Sequence, residues 1–336
     1  MIYLDNAATT LIKPETVYSA VLNAMKCAAN AGRGGYSEAS AAMNMIYDAR
    51  CRAAELFGID NPERIVFTQN ATHSLNIAIK GVVKYGSHAV ITSMEHNSVL
   101  RPVFSLARKK MITYSVAPAD RYGCVAAESI VNELKPSTAL IVVTHASNVC
   151  GTVNDIYDIR RKTGDIPLLI DASQSAGLVK IDMKRLKNTL LAFPGHKGLY
   201  GPQGTGGLYL KSGVVLRPLR EGGTGSSSES MVQPEELPEH LESGTLNLPG
   251  ICGLRAGMET VEKKGTDTIR RHETQLVSRI YTQLKSCPGI RLYTTPQLLQ
   301  TASPVLSFNV SGYTSEEAAA RLDRFGIAVR ARLHCA

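Results

Sequence analysis

Two short stretches carry residues that could do chemistry together. Pro167-Leu-Leu-Ile-Asp-Ala-Ser-Gln174 is an apolar run ending in Asp171. Phe193-Pro-Gly-His-Lys-Gly198 closes a second apolar run with Lys197. Both read as buried strands of a parallel sheet, continuous in hydrophobicity, with polar residues only at their C-terminal ends. Ligands of open parallel α/β sheets bind beyond those ends. A carboxylate and an amine, 26 positions apart (197 − 171), are therefore expected to face one crevice. Taken singly, Asp171 suits a helix cap or turn and Lys197 a solvated glycine-rich loop. Their shared position at strand ends is what points to chemistry.

An amine and a carboxylate at one end of a sheet are what pyridoxal phosphate requires. The amine forms a Schiff base, and the carboxylate keeps the pyridine nitrogen protonated so that the ring can accept electrons. Ile170-Asp-Ala-Ser-Gln174, Gly195-His-Lys197 and Glu242-Ser-Gly-Thr-Leu-Asn247 resemble the signatures of class V pyridoxal-phosphate enzymes, in particular the cysteine desulfurase and selenocysteine lyase group. The opening Tyr3-Leu-Asp-Asn-Ala-Ala-Thr-Thr10 and the closing Val329-Arg-Ala-Arg-Leu-His-Cys-Ala336 fit the same group, so the resemblance runs over essentially the whole chain. It implies an α/β fold of the pyridoxal-phosphate-dependent transferase, aspartate-aminotransferase type. A large domain with a mainly parallel seven-stranded sheet would stand beside a small α+β domain.

Residue by residue, the resemblance implies Lys197 as the Schiff-base lysine and Asp171 as the partner of the ring nitrogen. His96, in Met94-Glu-His-Asn97, would stack on the ring and shuttle protons. Asn148 and Gln174 would hydrogen-bond the phenolic oxygen. Ala71, Thr72 and His196 would hold the phosphate, and Thr245 would reach the neighbour's phosphate across a homodimer interface. The 66–74 stretch supports the phosphate reading on its own terms, since it reads as a strand running into a helix. The first turn of such a helix offers unpaired N–H groups and a positive dipole end. Asn70 or Thr72 also fits an N-cap there, and the two readings are compatible. One position departs from the family: Pro194 stands where many relatives carry a serine, so one phosphate hydrogen bond is absent or supplied elsewhere.

The tail Arg330-Ala-Arg-Leu-His-Cys335 resembles the catalytic-cysteine stretch of the second desulfurase group. A thiolate is the competent nucleophile, and Arg330, Arg332 and His334 are near enough in sequence to lower its pKa. The resemblance implies that Cys335 takes sulfur from L-cysteine as a persulfide, that alanine leaves, and that an acceptor protein receives the sulfur. Arg330 would bind the substrate carboxylate, because a guanidinium fork matches it. Arg332 replaces the family's usual glycine, and relatives continue some tens of residues past this cysteine. The chain thus reads as C-terminally truncated. Other readings stay open: a selenocysteine lyase acting on L-selenocysteine, a class V aminotransferase or epimerase with Cys335 incidental, or a cofactor-binding relative without turnover. Whether the sulfur would serve iron–sulfur assembly or another pathway is equally open. A nucleotide-binding protein ranks last, for no strand–Gly-x-Gly-x-x-Gly–helix fingerprint is present.

These residues need a frame. Strand-like runs recur at 64–69, 88–93, 112–116, 139–145, 167–171, 189–193 and 205–210, with amphipathic helical stretches at 71–84, 98–109, 128–134 and 154–162. That alternation predicts βαβ units and a mainly parallel sheet. The domain expectation is an arm over 1–14 packing near the small domain, a large domain over 15–248 and a small one over 249–336. The last contains one long charged helix over 251–285, a β-like run at 304–310 and a helix begun by Thr314 with Glu316 and Glu317 in its first turn. The Gly/Ser stretch 222–229 reads as an active-site or interface loop.

The chain has 336 residues, 44% of them hydrophobic and 20% charged, ordinary for a soluble globular protein with one large core and a second unit. The net charge of +8 is spread along the sequence and not interleaved with the 6% of aromatic residues, which disfavours nucleic-acid binding. No apolar run approaches a membrane span, and no secretory signal precedes Tyr3. Seven cysteines without a C-x-x-C predict neither zinc ligation nor a disulfide framework, and point to a reducing cytoplasm.

Overall fold

The seven apolar runs pair into one sheet. The computed structural model describes residues 1–27, 29–31, 34–225 and 229–331. The predicted Gly/Ser loop lies partly outside them, and Arg332, His334 and Cys335 lie wholly outside. A two-residue strand β1 (Ile2–Tyr3) opens the chain, followed by helices α1 (Glu15–Cys27) and α2 (Ser37–Phe57). Then come β2 (Ile65–Thr68), α3 (Ala71–Val82), β3 (Ser87–Thr92), α4 (Asn97–Arg108), β4 (Ile112–Ala117), α5 (Ala127–Val131), β5 (Thr138–Thr144), α6 (Ile156–Thr163), β6 (Leu168–Asp171), β7 (Thr189–Pro194) and β8 (Gly206–Leu210). The sheet order is β2-β8-β7-β6-β5-β3-β4. All neighbours are parallel except β8, which runs antiparallel to both β2 and β7. The expected mainly parallel, seven-stranded sheet is the one observed.

Both faces of the sheet are covered except at the edge strand β4, where Thr113, Tyr114 and Val116 are exposed, which explains the apolar runs of the inner strands. Successive strand residues point to opposite faces. Val66, Ile91, Val142, Leu169 and Leu190 pack under Leu75, Ile79, Val99 and Val103 of α3 and α4. Phe67, Val90, Val143, Ile170 and Phe193 face the other way, toward α2, α6 and α7 (Leu248–Lys264). Phe193 meets Phe57 of α2 with ring centroids 5.0 Å apart.

Beyond α7, helix α8 (Thr266–Lys285) leads to β9 (Ile290–Leu292), α9 (Pro296–Thr301), β10 (Phe308–Val310), α10 (Ser315–Arg324) and β11 (Ile327–Ala328). The predicted single helix over 251–285 is two, because Gly265 takes φ +79° and its N–H closes onto Val261 and Glu262. The β-like run at 304–310 shortens to β10, paired antiparallel with β9. Thr314 and Glu317 form a capping box for α10. Ile251, Leu254 and Met258 of α7 are buried in the core beneath the large sheet. We propose Gly265 as the joint between the large unit and the small one. Strand β1 pairs parallel with β11, tying the N-terminal arm to the segment that follows α10. No helix among the described residues is long and apolar enough to cross a membrane.

Helices α1 and α2 escape the sequence reading. The buried line of α2 is Ala39, Ala42, Ile46, Ala49, Arg50 and Ala53, mostly small and interrupted by a charge, so its periodicity is faint. That charge has a specific partner. Arg50 Nη1 donates to Glu242 Oε1 at 2.8 Å, both side chains are 5% exposed, and Glu242 also accepts the backbone N–H of Phe67. Glu242, the first residue of the Glu-Ser-Gly-Thr-Leu-Asn signature, thus bolts α2 to β2. The last, Asn247, caps α7 by accepting the Gly250 N–H at 3.1 Å. Removing one partner of a buried pair strands the other charge, at about 3–5 kcal/mol. Glu242→Ala is expected to lose that much in urea unfolding, and Arg50→Met with Glu242→Leu to recover most of it.

Candidate active site

Beyond the carboxyl ends of the parallel strands lies a cleft of about 1990 Å³. The loops after β3, β5, β6 and β7 contribute His96, Asn148, Gln174 and Lys197 to its lining, while the small unit and arm contribute Arg330 and Asp5. Asp171 ends β6, 2% exposed, and pairs in register with Ala192 of β7, five residues before Lys197. The carboxylate and amine thus issue from adjacent strands, as their positions after two apolar runs suggested.

What presses their loops together is glycine. A Cβ on Gly177 would lie 2.3 Å from the Gly198 carbonyl oxygen, and one on Gly198 would lie 2.5 Å from that of Ala176. Gly177 also has φ +86°, which L side chains rarely adopt. Helix α7 backs the same loop, since a Cβ on Gly257 would lie 2.1 Å from the Leu199 oxygen. The arm closes it from the other side. Thr10 gives its N–H to His196 O (3.0 Å) and its hydroxyl to Lys197 O (2.9 Å), and Gln174 Nε2 donates to Ala7 O at 2.8 Å. Asp5 grips Arg330 with two hydrogen bonds of 2.9 and 2.8 Å. The tail stretch that leads to Cys335 is therefore anchored five residues earlier, and Arg330 enters the cleft already bound to a carboxylate.

The remaining expected residues sit around this centre. Asp171 Oδ1 accepts both the N–H and the hydroxyl of Ser173, at 2.9 and 2.5 Å. His96 caps α4: its Nδ1 accepts the Ser98 N–H at 3.1 Å, so the neutral ring carries its proton on Nε2. Burial lowers the His96 pKa most, Lys197 and Arg101 lower it further, and Asp171 opposes them. His196 is held down to about 4, first by burial and then by Lys197 and Lys13, so it is a neutral imidazole at physiological pH. Ala71 and Thr72 begin α3, which Asn70 caps by accepting the His73 N–H at 2.9 Å. The N–H groups of Ala71 and Thr72 precede the first intrahelical bonds. The Thr72 hydroxyl is 2.7 Å from Ser98 Oγ, linking the α3 terminus to the His96 cap. Asp171, Ala71, Thr72 and His196 are not part of the cleft lining, Asp171 lying buried behind Ser173 and Gln174, and Thr245 stands exposed on the surface.

Three residues near the site were not legible in the sequence. Arg220 Nη2 lies 3.1 Å from His73 Nε2, placing a cation beside the α3 terminus. Glu273 of α8 lines the cleft, its carboxyl pushed up to about 7 by burial. Glu95 is buried one residue before His96. Only its adjacency to His96 could have singled out Glu95, and nothing in the pattern marks the other two.

A parallel sheet with an amine, a buried carboxylate and an imidazole at its carboxyl edge defines an α/β protein with a built ligand crevice. The chain belongs to the class-V aminotransferase family, whose model matches residues 2–336. It is similar to a probable cysteine desulfurase of Methanothermobacter thermautotrophicus, 34% identical over 348 residues, covering 100% of this chain and 84% of that protein. The solved apo structure of a cysteine desulfurase from Thermococcus onnurineus NA1 superposes with a TM-score of 0.92 at 33% identity, covering 100% of this chain and 85% of that one. An Escherichia coli cysteine desulfurase superposes at 0.86 with 26% identity, over 99% and 84% of the two chains.

The glycine contact is separable from glycine's conformational freedom. Gly86 also has positive φ (+79°), but a Cβ there would meet nothing within 4 Å. Gly86→Ala is expected to cost about 1–2 kcal/mol of left-handed strain. Gly177→Ala adds a backbone collision and is expected to cost roughly 2 kcal/mol more, read as the difference in urea midpoints.

Proposed function

We propose that the chain is a pyridoxal-phosphate-dependent cysteine desulfurase that converts L-cysteine to L-alanine and takes the sulfur onto Cys335. The observation that carries this reading is the juxtaposition of Asp171 and Lys197 on adjacent strand ends, beside His96, in a chain of this family. The donor set fits the cofactor. It offers a primary amine, a buried carboxylate, a neutral imidazole and a helix N-terminus with hydroxyl and cationic neighbours. Bound there, pyridoxal phosphate supplies an aldehyde for an amino group and an electron-accepting ring.

The chain's own groups divide the remaining work. Lys197 provides the amine that anchors the aldehyde and, once released, a base for the substrate's α-proton. Asp171, with Oδ1 fixed by Ser173, keeps its other oxygen for the ring nitrogen. His96 presents Nε2–H as a donor, because Nδ1 is occupied by the Ser98 N–H. The α3 terminus at Ala71 and Thr72, with His196, serves the phosphate, and Asn148 and Gln174 serve the phenolic oxygen. Arg330, steadied by Asp5, offers a guanidinium for the substrate carboxylate. Cys335 attacks the substrate sulfur as a thiolate. Its new S–S bond replaces the substrate's C–S bond, alanine leaves, and the persulfide passes to an acceptor protein.

The family pairing also extends to assembly. Tyr18, Leu22, Met25, Met43 and Tyr47 of α1 and α2 are each 47–65% exposed. Such an apolar face suits a second copy, which would bring Thr245 to the neighbouring phosphate. Leu22→Glu with Met25→Glu is expected to turn a sedimenting dimer into a monomer.

The decisive assay is alanine release from L-cysteine by the chain saturated with pyridoxal phosphate. The expected outcome is alanine from the wild type, essentially none from Cys335→Ala, and loss of the bound-cofactor absorption in Lys197→Ala. Alanine formation undiminished in Cys335→Ala would overturn the cysteine's role. A Lys197→Ala chain that kept the wild-type absorption would overturn the cofactor assignment itself.

A further inference from the structure

A second carboxyl lies behind Asp171, and the roles above do not use it. Glu95 is 1% exposed. Its Oε1 accepts two hydrogen bonds, from the Thr92 hydroxyl at 2.7 Å and the Thr144 N–H at 2.8 Å. Its Oε2 is fully buried and meets no hydrogen-bond partner among the described residues. A carboxyl with one doubly served oxygen and one bare oxygen matches a neutral acid. The doubly served oxygen is the carbonyl end, and the bare one carries the proton. An ionised, unpartnered oxygen in that position would bear the full penalty of desolvation.

The neighbourhood gives this arrangement a purpose. Thr144, which donates to Glu95, is the register partner of Asp171 across β5 and β6. Asp171 is the one charged group among the described residues that acts appreciably on Glu95, and it acts against ionisation. Burial is the larger cause, and together they push the Glu95 carboxyl up to about 8 despite the opposing hydrogen bonds from Thr92 and Thr144. His96 follows Glu95 in the chain, but Lys197 and Arg101 act on His96 rather than on Glu95. Two carboxyls in one dry neighbourhood are driven to unequal protonation. Asp171 has Ser173 as a double donor and the cofactor's ring nitrogen as its partner, whereas no cation among the described residues serves Glu95.

We propose that Glu95 is a positioning residue held as a neutral carboxylic acid, which fixes the β3 and β5 ends through Thr92 and Thr144 without placing a second charge beside the Asp171 that would serve the ring nitrogen. The second half of this inference rests on the desulfurase reading; the protonation state of Glu95 does not.

The test uses the full chain reconstituted with pyridoxal phosphate, as wild type, Glu95→Gln and Glu95→Ala. Infrared spectra at pH 6.5 should show a protonated-carboxyl C=O band in the wild type that Glu95→Gln lacks, fading as the pH rises through about 8. Thermal melting supplies an independent readout. The folded state keeps a proton that the unfolded chain releases above about 4.5, so wild-type stability falls as the pH rises from about 4.5 to about 8 and then levels. Glu95→Gln should lack that fall, so its melting temperature gains on the wild type across that window. Its bound-cofactor absorption and affinity should stay within about twofold of wild type, since Gln keeps the Oε1 acceptor and the neutrality. Glu95→Ala, which strands the Thr92 hydroxyl and the Thr144 N–H, should weaken cofactor retention at least roughly tenfold. The proposal is overturned by a wild type with no such band, or by a Glu95→Gln chain whose bound-cofactor absorption is shifted or lost. A chain that takes up no pyridoxal phosphate overturns the desulfurase reading instead, and the band and the melting profile still decide the state of Glu95.

Discussion

The crevice depends on two peptide backbones being allowed to touch. Strands β6 and β7 lie side by side, but parallel pairing alone sets only their spacing. The loops that leave them must also converge, and at Gly177 and Gly198 any side chain would collide with the opposing carbonyl. With those collisions absent, the Asp171 and Lys197 loops share one wall of the cleft. Gly257 repeats the device, letting α7 lie directly on the Lys197 loop. A lysine on a glycine-rich segment would otherwise be mobile. Here it is clamped between a helix, a neighbouring loop and the N-terminal arm.

That arm connects parts of the molecule distant in sequence. Its strand pairs with β11, its Thr9 and Thr10 hold the His196 and Lys197 carbonyls, and its Asp5 holds Arg330. The floor of the cleft and the segment leading to Cys335 are thus referenced to the same short arm. The Asp5 carboxylate already on Arg330 orients the guanidinium and ties its position to that of the arm.

The ionisable groups at the site are arranged by burial more than by pairing. His96 and His196 are kept neutral by desolvation, reinforced by nearby cations, and Glu95 is kept neutral by desolvation, reinforced by Asp171. What charge remains is concentrated on few groups. By contrast, the buried ion pair of Arg50 and Glu242 stands on the structural side of the sheet, where both charges are satisfied together.

The amino-acid sequence by itself determined the seven strands of the large sheet, because its inner strands are covered on both faces and read as apolar runs. It also determined that Asp171 ends one of them and that Lys197 closely follows its neighbour, and its signatures identified the family. It did not reveal α2, whose buried face is mostly alanine with one arginine, nor the break at Gly265, which a charged helical pattern conceals. Glu242 and Asn247, read only as parts of a signature, are an ion-pair partner and a helix cap. Those roles, the arm's grip on Lys197 and Arg330, and the neutral Glu95 were decided by tertiary structure. Most of them depend on residues dozens to hundreds of positions apart meeting in a dry environment, and no local pattern records which partner a buried polar group will find.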